Sequence, residues 1–166
     1  MSTTSEALAI WETSRNVTIS EAENIPEERC DFRPGEGART VRDLVRHILE
    51  SGVGFARELT SDQPTFARVF APETRAQFTA TYPENSSKNE VIEQLRKSFA
   101  DDMQRLRDQG DLAAQTMTLM KREQTRLTGL WFSISHEMYH RGQLATYARA
   151  IGLVPAMTQQ SQARRS

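Results

Sequence analysis

At 166 residues the chain suits one domain of ordinary size with a real core. Its 21 Lys+Arg against 22 Asp+Glu give no basic patch for nucleic acid, the tail Ala163-Arg164-Arg165-Ser166 being only weakly basic. A lone Cys30 excludes an internal disulfide framework and fits a reducing compartment, and no window approaches the roughly 18 apolar residues of a membrane span. The start, Met1-Ser-Thr-Thr-Ser-Glu6, lacks the basic-then-apolar layout of a signal peptide. The expectation is a cytoplasmic protein, residues 1–166 forming a single domain and residues 155–166 a frayed tail.

Four helical patterns follow in chain order, with no convincing strand pair. The first runs from about Ser5 to Asn24, with Leu8, Trp11, Thr18, Ile19 and Ala22 at three-to-four spacing, and Pro26 ends it. Thr40 is the predicted N-cap of the second, whose stripe of Val41, Leu44, Val45, Ile48, Leu49 and Phe55 reaches about Leu59. Residues 60–87, punctuated by Pro64, Pro72 and Pro83, make a connection long enough to suggest a functional segment and a crossover. Ser87-Lys-Asn-Glu90 is a capping box for the third helix, which carries Leu95, Phe99, Met103 and Leu106 and stops at Gly110. The fourth spans about Thr125 to Ile151, with Gly152 and Pro155 beyond it. Four long helices with little strand signal predict an all-α four-helix bundle.

The chain's three histidines are His47, His136 and His140. The last two sit one turn apart on one face of the fourth helix. His47 lies at the edge of the second helix's apolar stripe. Three neutral imidazoles meeting in a bundle would suit a divalent cation with an open position.

Two motif readings fail. His136-Glu137-Met-Tyr-His140 matches the H-E-x-x-H of zinc peptidases, yet no His, Asp or Glu follows His140 to supply their downstream third ligand. A di-iron bundle needs a second Glu-x-x-His, and Leu44 stands three residues before His47 where that Glu would be.

The run His136-Glu-Met-Tyr-His140-Arg141-Gly142-Gln143-Leu144 closely resembles the C-terminal helix motif of the DinB/YfiT family of bacterial metal-binding four-helix bundles. Thr40-Val-Arg-Asp-Leu-Val-Arg-His47-Ile is similar to that family's second-helix signature, and Tyr147-Ala-Arg-Ala-Ile-Gly152-Leu-Val-Pro155 to its helix exit. One departure is Arg39 before Thr40, where an aromatic residue is often seen. The resemblance implies that His47, His136 and His140 hold one metal, zinc or nickel, and that relatives are often homodimers. It also implies chemistry on a low-molecular-weight thiol, transferred to an electrophilic small molecule whose selection would fall to residues 60–87. Hydrolysis through a bound water and a non-enzymatic metal-binding module are the alternatives.

The neighbours of the ligands carry further expectations. Glu137 would serve as a base beside a metal-bound water, or else pair with Arg141 one turn on. Gln143 would hydrogen-bond that water. Tyr147, Ser133 and Gly129 fall near the same helical direction, while Ser51 and Gly54 on the His47 face would leave room for a ligand. Gly142 would permit close helix approach, and Trp11 would be core or pocket wall. The fourth helix, apolar almost all round, would be largely buried.

Overall fold

The computed structural model describes residues 3–165, and the four long helices stand where the periodicity places them. They are α1 (Thr4–Asn24), α2 (Val41–Leu59), α4 (Lys88–Asp108) and α5 (Arg126–Ala150), joined by two shorter helices, α3 (Pro72–Thr81) and α6 (Ala156–Ala163). Each long helix opens on a hydroxyl cap. Thr3 and Ser87 form capping boxes with Glu6 and Glu90, while Thr40 and Thr125 accept from the backbone N–H three residues on.

Helix α1 packs on α5 and α4, and α2 packs on the same two, which closes a four-membered bundle. Two apolar clusters fill it end to end. One gathers Leu8, Phe55, Met103, Leu106 and Leu130, and the other Ile19, Val41, Ile48, Leu95 and Leu144. Read along the chain, α1 and α5 pass from the first cluster to the second. Both α2 and α4 pass from the second to the first, so the segment between them is a true crossover.

That crossover has structure of its own. Residues 68–70 form a 3-10 turn and Pro72 opens α3 at its first position. Phe66, Val69 and Phe78 bury their side chains, and Arg68 grips Glu58 of α2 through Nε and Nη2 at 2.9 and 2.6 Å.

Two expectations are corrected. The link before α5 holds an antiparallel hairpin, β1 (Thr116–Leu119) with β2 (Arg122–Thr125). Its two-residue turn puts Met120 and Lys121 at φ 49° and 64°, with none of the Asn or Gly that advertise such turns. The tail is not frayed from residue 155 either. Gly152, at φ 83°, ends α5, and α6 then starts with the backbone N–H groups of Ala156 and Met157 donating to the Glu21 carboxylate at 2.9 and 3.0 Å. A carboxylate from another helix does what no local cap residue could, which is why the tail's own residues do not announce it.

Candidate metal centre

Helix α5 carries His136 and His140 one turn apart, and α2 brings His47 to the same point. His47 Nε2 lies 3.1 Å from His140 Nε2, which lies 3.3 Å from His136 Nε2. All three donor atoms fall within 4.8 Å of one another. Imidazole nitrogens at about 2.0–2.1 Å from a tetrahedral cation stand about 3.3–3.4 Å apart, so this spacing fits a three-histidine metal site.

The donors are in the right chemical state. Burial, reinforced by the charge of Arg39 and by the neighbouring imidazoles, pushes His47 down to about 3. Burial and His140 push His136 down to about 4, and burial lowers His140 as well. Near neutral pH all three are unprotonated, the form that coordinates a cation. His140 Nδ1 lies 2.8 Å from Gln143 Oε1. With the proton on Nδ1, His140 donates to that oxygen and turns its Nε2 lone pair to the shared point. Ser51 Oγ sits 3.5 Å from His47 Nδ1.

Behind the histidines lies a group the sequence reading missed. Arg15 of α1 is 2 % exposed. Its Nε and Nη2 donate to Glu137 Oε1 and Oε2, each at 2.8 Å, and Trp11 Nε1 donates to Oε2 at 2.7 Å. Burial works against the Glu137 charge, yet Arg15, Trp11 and Thr18 prevail and hold its carboxyl below the usual range. The guanidinium also stacks on Phe99 of α4 at 4.5 Å, donates to Leu95 O at 3.4 Å, and fills the space over Gly52 of α2, where an added Cβ would stand 2.8 Å from Nη2. One side chain thus touches all three other long helices. The signal was present, because residue 15 continues the buried row of Trp11, Thr18 and Ala22.

Several expected roles change accordingly. Glu137 is committed to Arg15 and Trp11, facing α1, and its partner is not Arg141, which donates to Ser14 Oγ at 3.2 Å. Gln143 Oε1 is engaged with His140 itself. Gly54 leaves no room for a ligand, since a Cβ there would meet Val69 Cγ1 at 2.7 Å. Gly129 packs under Met117 and Leu59 of the first cluster, and Ser133 Oγ donates to its carbonyl. Tyr147 is core, edge-on to Phe32 at 6.0 Å. Nothing approaches within 4 Å of a Cβ at Gly142, so it is not a close-approach residue. Helix α5 also keeps an open side at Met138 and Tyr139, 37 % and 65 % exposed. Space for a ligand lies instead in a cavity of about 560 Å³ between α2 and the crossover, reaching His47 and Ser51 and walled by Val69, Phe70 and Phe78.

The profile of the DinB family matches residues 1–165. A protein of Bacillus subtilis (strain 168) called YjoA is 27 % identical over 141 residues, covering 83 % of this chain and 84 % of its own. The crystal structure of the DinB-like YjoA aligns at TM-score 0.68 and 21 % identity, covering 89 % of this chain and 92 % of that one. A DinB-like protein from Bacillus cereus ATCC 10987 aligns at TM-score 0.71 and 16 % identity over 92 % and 95 % of the two chains. These structural likenesses speak for the fold. With the family profile spanning all but the last residue, over a bundle that draws His47, His136 and His140 together, the chain belongs to the DinB family.

Proposed function

We propose that this protein holds one divalent cation, zinc or nickel, on His47, His136 and His140, and uses it to activate a low-molecular-weight thiol for transfer to an electrophilic small molecule. The observation that carries the reading is the convergence of three neutral imidazole nitrogens beside an open cavity. Imidazole suits both metals. A cation so bound supplies its full positive charge and an open position at which a thiol loses its proton near neutral pH.

The chain's own residues do the rest. Gln143 fixes the orientation of His140, and the Arg15–Glu137 pair fixes the rotation of α5 on α1. Val69 and Phe78 give the cavity beside His47 an apolar side, while its remaining lining is mostly charged. A hydrolytic reading is weaker because Glu137 faces Arg15 and has no free oxygen for a water.

Metal analysis of the purified protein should find about one equivalent per chain, lost in His47→Ala while the helical circular dichroism remains. The metal-loaded protein should conjugate a small thiol to chlorodinitrobenzene faster than the chelated protein. Equal rates with every bacterial thiol tried would overturn the thiol reading and leave the metal site standing.

The proposal includes a cytoplasmic homodimer. Met138 of α5 and Met157 of α6, 37 % and 53 % exposed, line one shallow groove that a second copy would cover. Sedimentation at micromolar concentration should give twice the chain mass, and a clean monomer would remove this part.

A further inference from the structure

The cavity beside His47 is lined by Arg39, Arg46 and Arg75 together with Asp43, Glu50 and Glu84. Among the described residues, no two of these six form an ion pair. Three guanidinium and three carboxylate groups therefore share one cavity without a close pair, although against its burial Arg46, Arg75 and Arg39 still draw the Glu50 carboxyl down.

Two of the six are costly to leave as they are. Arg46 is 7 % exposed, and its Nη1 and Nη2 are spent on Tyr82 O and Pro83 O at 3.2 and 2.7 Å. Its Nε remains buried with no acceptor. Glu50 is half-buried on α2, one turn beyond His47, and burial pushes its carboxyl up. A buried guanidinium, held by the crossover's carbonyls, and a half-buried carboxylate thus line one cavity. Arg39 and Arg75 line the same cavity as His47, which places both arginines beside the histidine centre.

The charge balance selects the occupant. A simple anion would satisfy the guanidiniums but meet three carboxylates, and a simple cation would face the reverse. A molecule carrying both charges answers both sets and leaves the cavity electrically neutral. We propose that this cavity binds a small zwitterion, its carboxylate against Arg39 and Arg75 and its ammonium against Glu50. An α-amino acid, or a molecule that ends in one, has this pattern. The inference deepens the proposed function and rests on it for the statement that this molecule reacts at the metal. Binding itself requires neither metal nor thiol.

The test is calorimetric titration of the metal-free protein at low salt with L-norvaline, pentanoate and butylamine, three ligands of similar size that carry both charges, only the negative and only the positive. Norvaline should bind roughly tenfold tighter than either of the others. Glu50→Gln should abolish its advantage over pentanoate, and Arg75→Gln its advantage over butylamine. Both variants should take up cobalt(II) as the unaltered protein does, since neither residue is a ligand. Equal affinity for the three, tighter binding of pentanoate or butylamine than of norvaline, or no binding by any would overturn the proposal. Arg75 is exposed on α3, so its variant folds and decides the matter even if Glu50→Gln does not. Because no thiol is used, failure here is separate from failure of thiol transfer, which the chelator comparison reads.

Discussion

Arg15 and Glu137 are joined by a bidentate contact inside a bundle where neither charge reaches water. Removing one partner leaves the other buried and uncompensated. Glu137→Ala should therefore cost about 3–5 kcal/mol, read from urea unfolding monitored by circular dichroism. The double variant Arg15→Met, Glu137→Leu should recover most of that loss, because the desolvation of both charges disappears with them. A loss in the double variant as large as in the single one would show that the pair's role is not electrostatic. His136, His140 and His47 were legible in the sequence because a one-turn spacing and a motif mark them. For Arg15 only the burial was legible, in the row it shares with Trp11 and Thr18; its pairing was not, because Glu137 lies 122 residues away.

Helix boundaries came through well wherever a local cap wrote them. Thr40, Ser87 and Gly152 each sit at the end their chemistry predicts. The hairpin and α6 did not, since a turn of Met120-Lys121 and a start held by Glu21 carry no local signature. Two glycines on α5 show the same limit. Both read as helix-interior glycine in the sequence, yet they face opposite surroundings. An added methyl at Gly129 would stand 2.2 Å from Met117 Sδ and 2.9 Å from Leu59 Cδ2, in a cluster with no spare volume. At Gly142 it would meet nothing within 4 Å. Gly142→Ala should stabilise by about 0.5–1 kcal/mol through helix propensity. Gly129→Ala should instead destabilise by about 1–3 kcal/mol through overpacking. Thermal melts of the two variants check the opposite signs.

Across the whole molecule, opposing ionisations set the response to acid. His47, His136 and His140 all have folded values below the ordinary 6.5, so the unfolded chain binds their protons first. Their contribution is present above 6.5 and fades as pH falls towards about 4 and about 3 for His136 and His47. Asp102, 2 % exposed on α4, runs the other way. Burial outweighs its pairing with Arg105 and raises it from 3.8 to about 6. Its contribution is present below 3.8 and fades as pH rises through about 6. Three histidines oppose one aspartate, so the metal-free protein should lose stability on acidification from pH 6.5 to 4. Asp102→Asn should steepen that loss, and urea midpoints at stepped pH values would show it. An unchanged slope would mean that Asp102 titrates normally.

The two apolar clusters have a further consequence. On α1 the first cluster ends at Trp11 and the second begins at Ile19; on α5 they part between Ile134 and Leu144. Arg15, Glu137, His136 and His140 occupy the gap. Hydrophobic burial thus clamps the bundle at its two ends, and at the waist between them α1 meets α5 through the Arg15–Glu137 contact, with Phe99 and Phe55 packed against Arg15 and His136. A cation bridging α2 and α5 would tighten that waist, so metal occupancy would govern whether the two ends open together or one at a time.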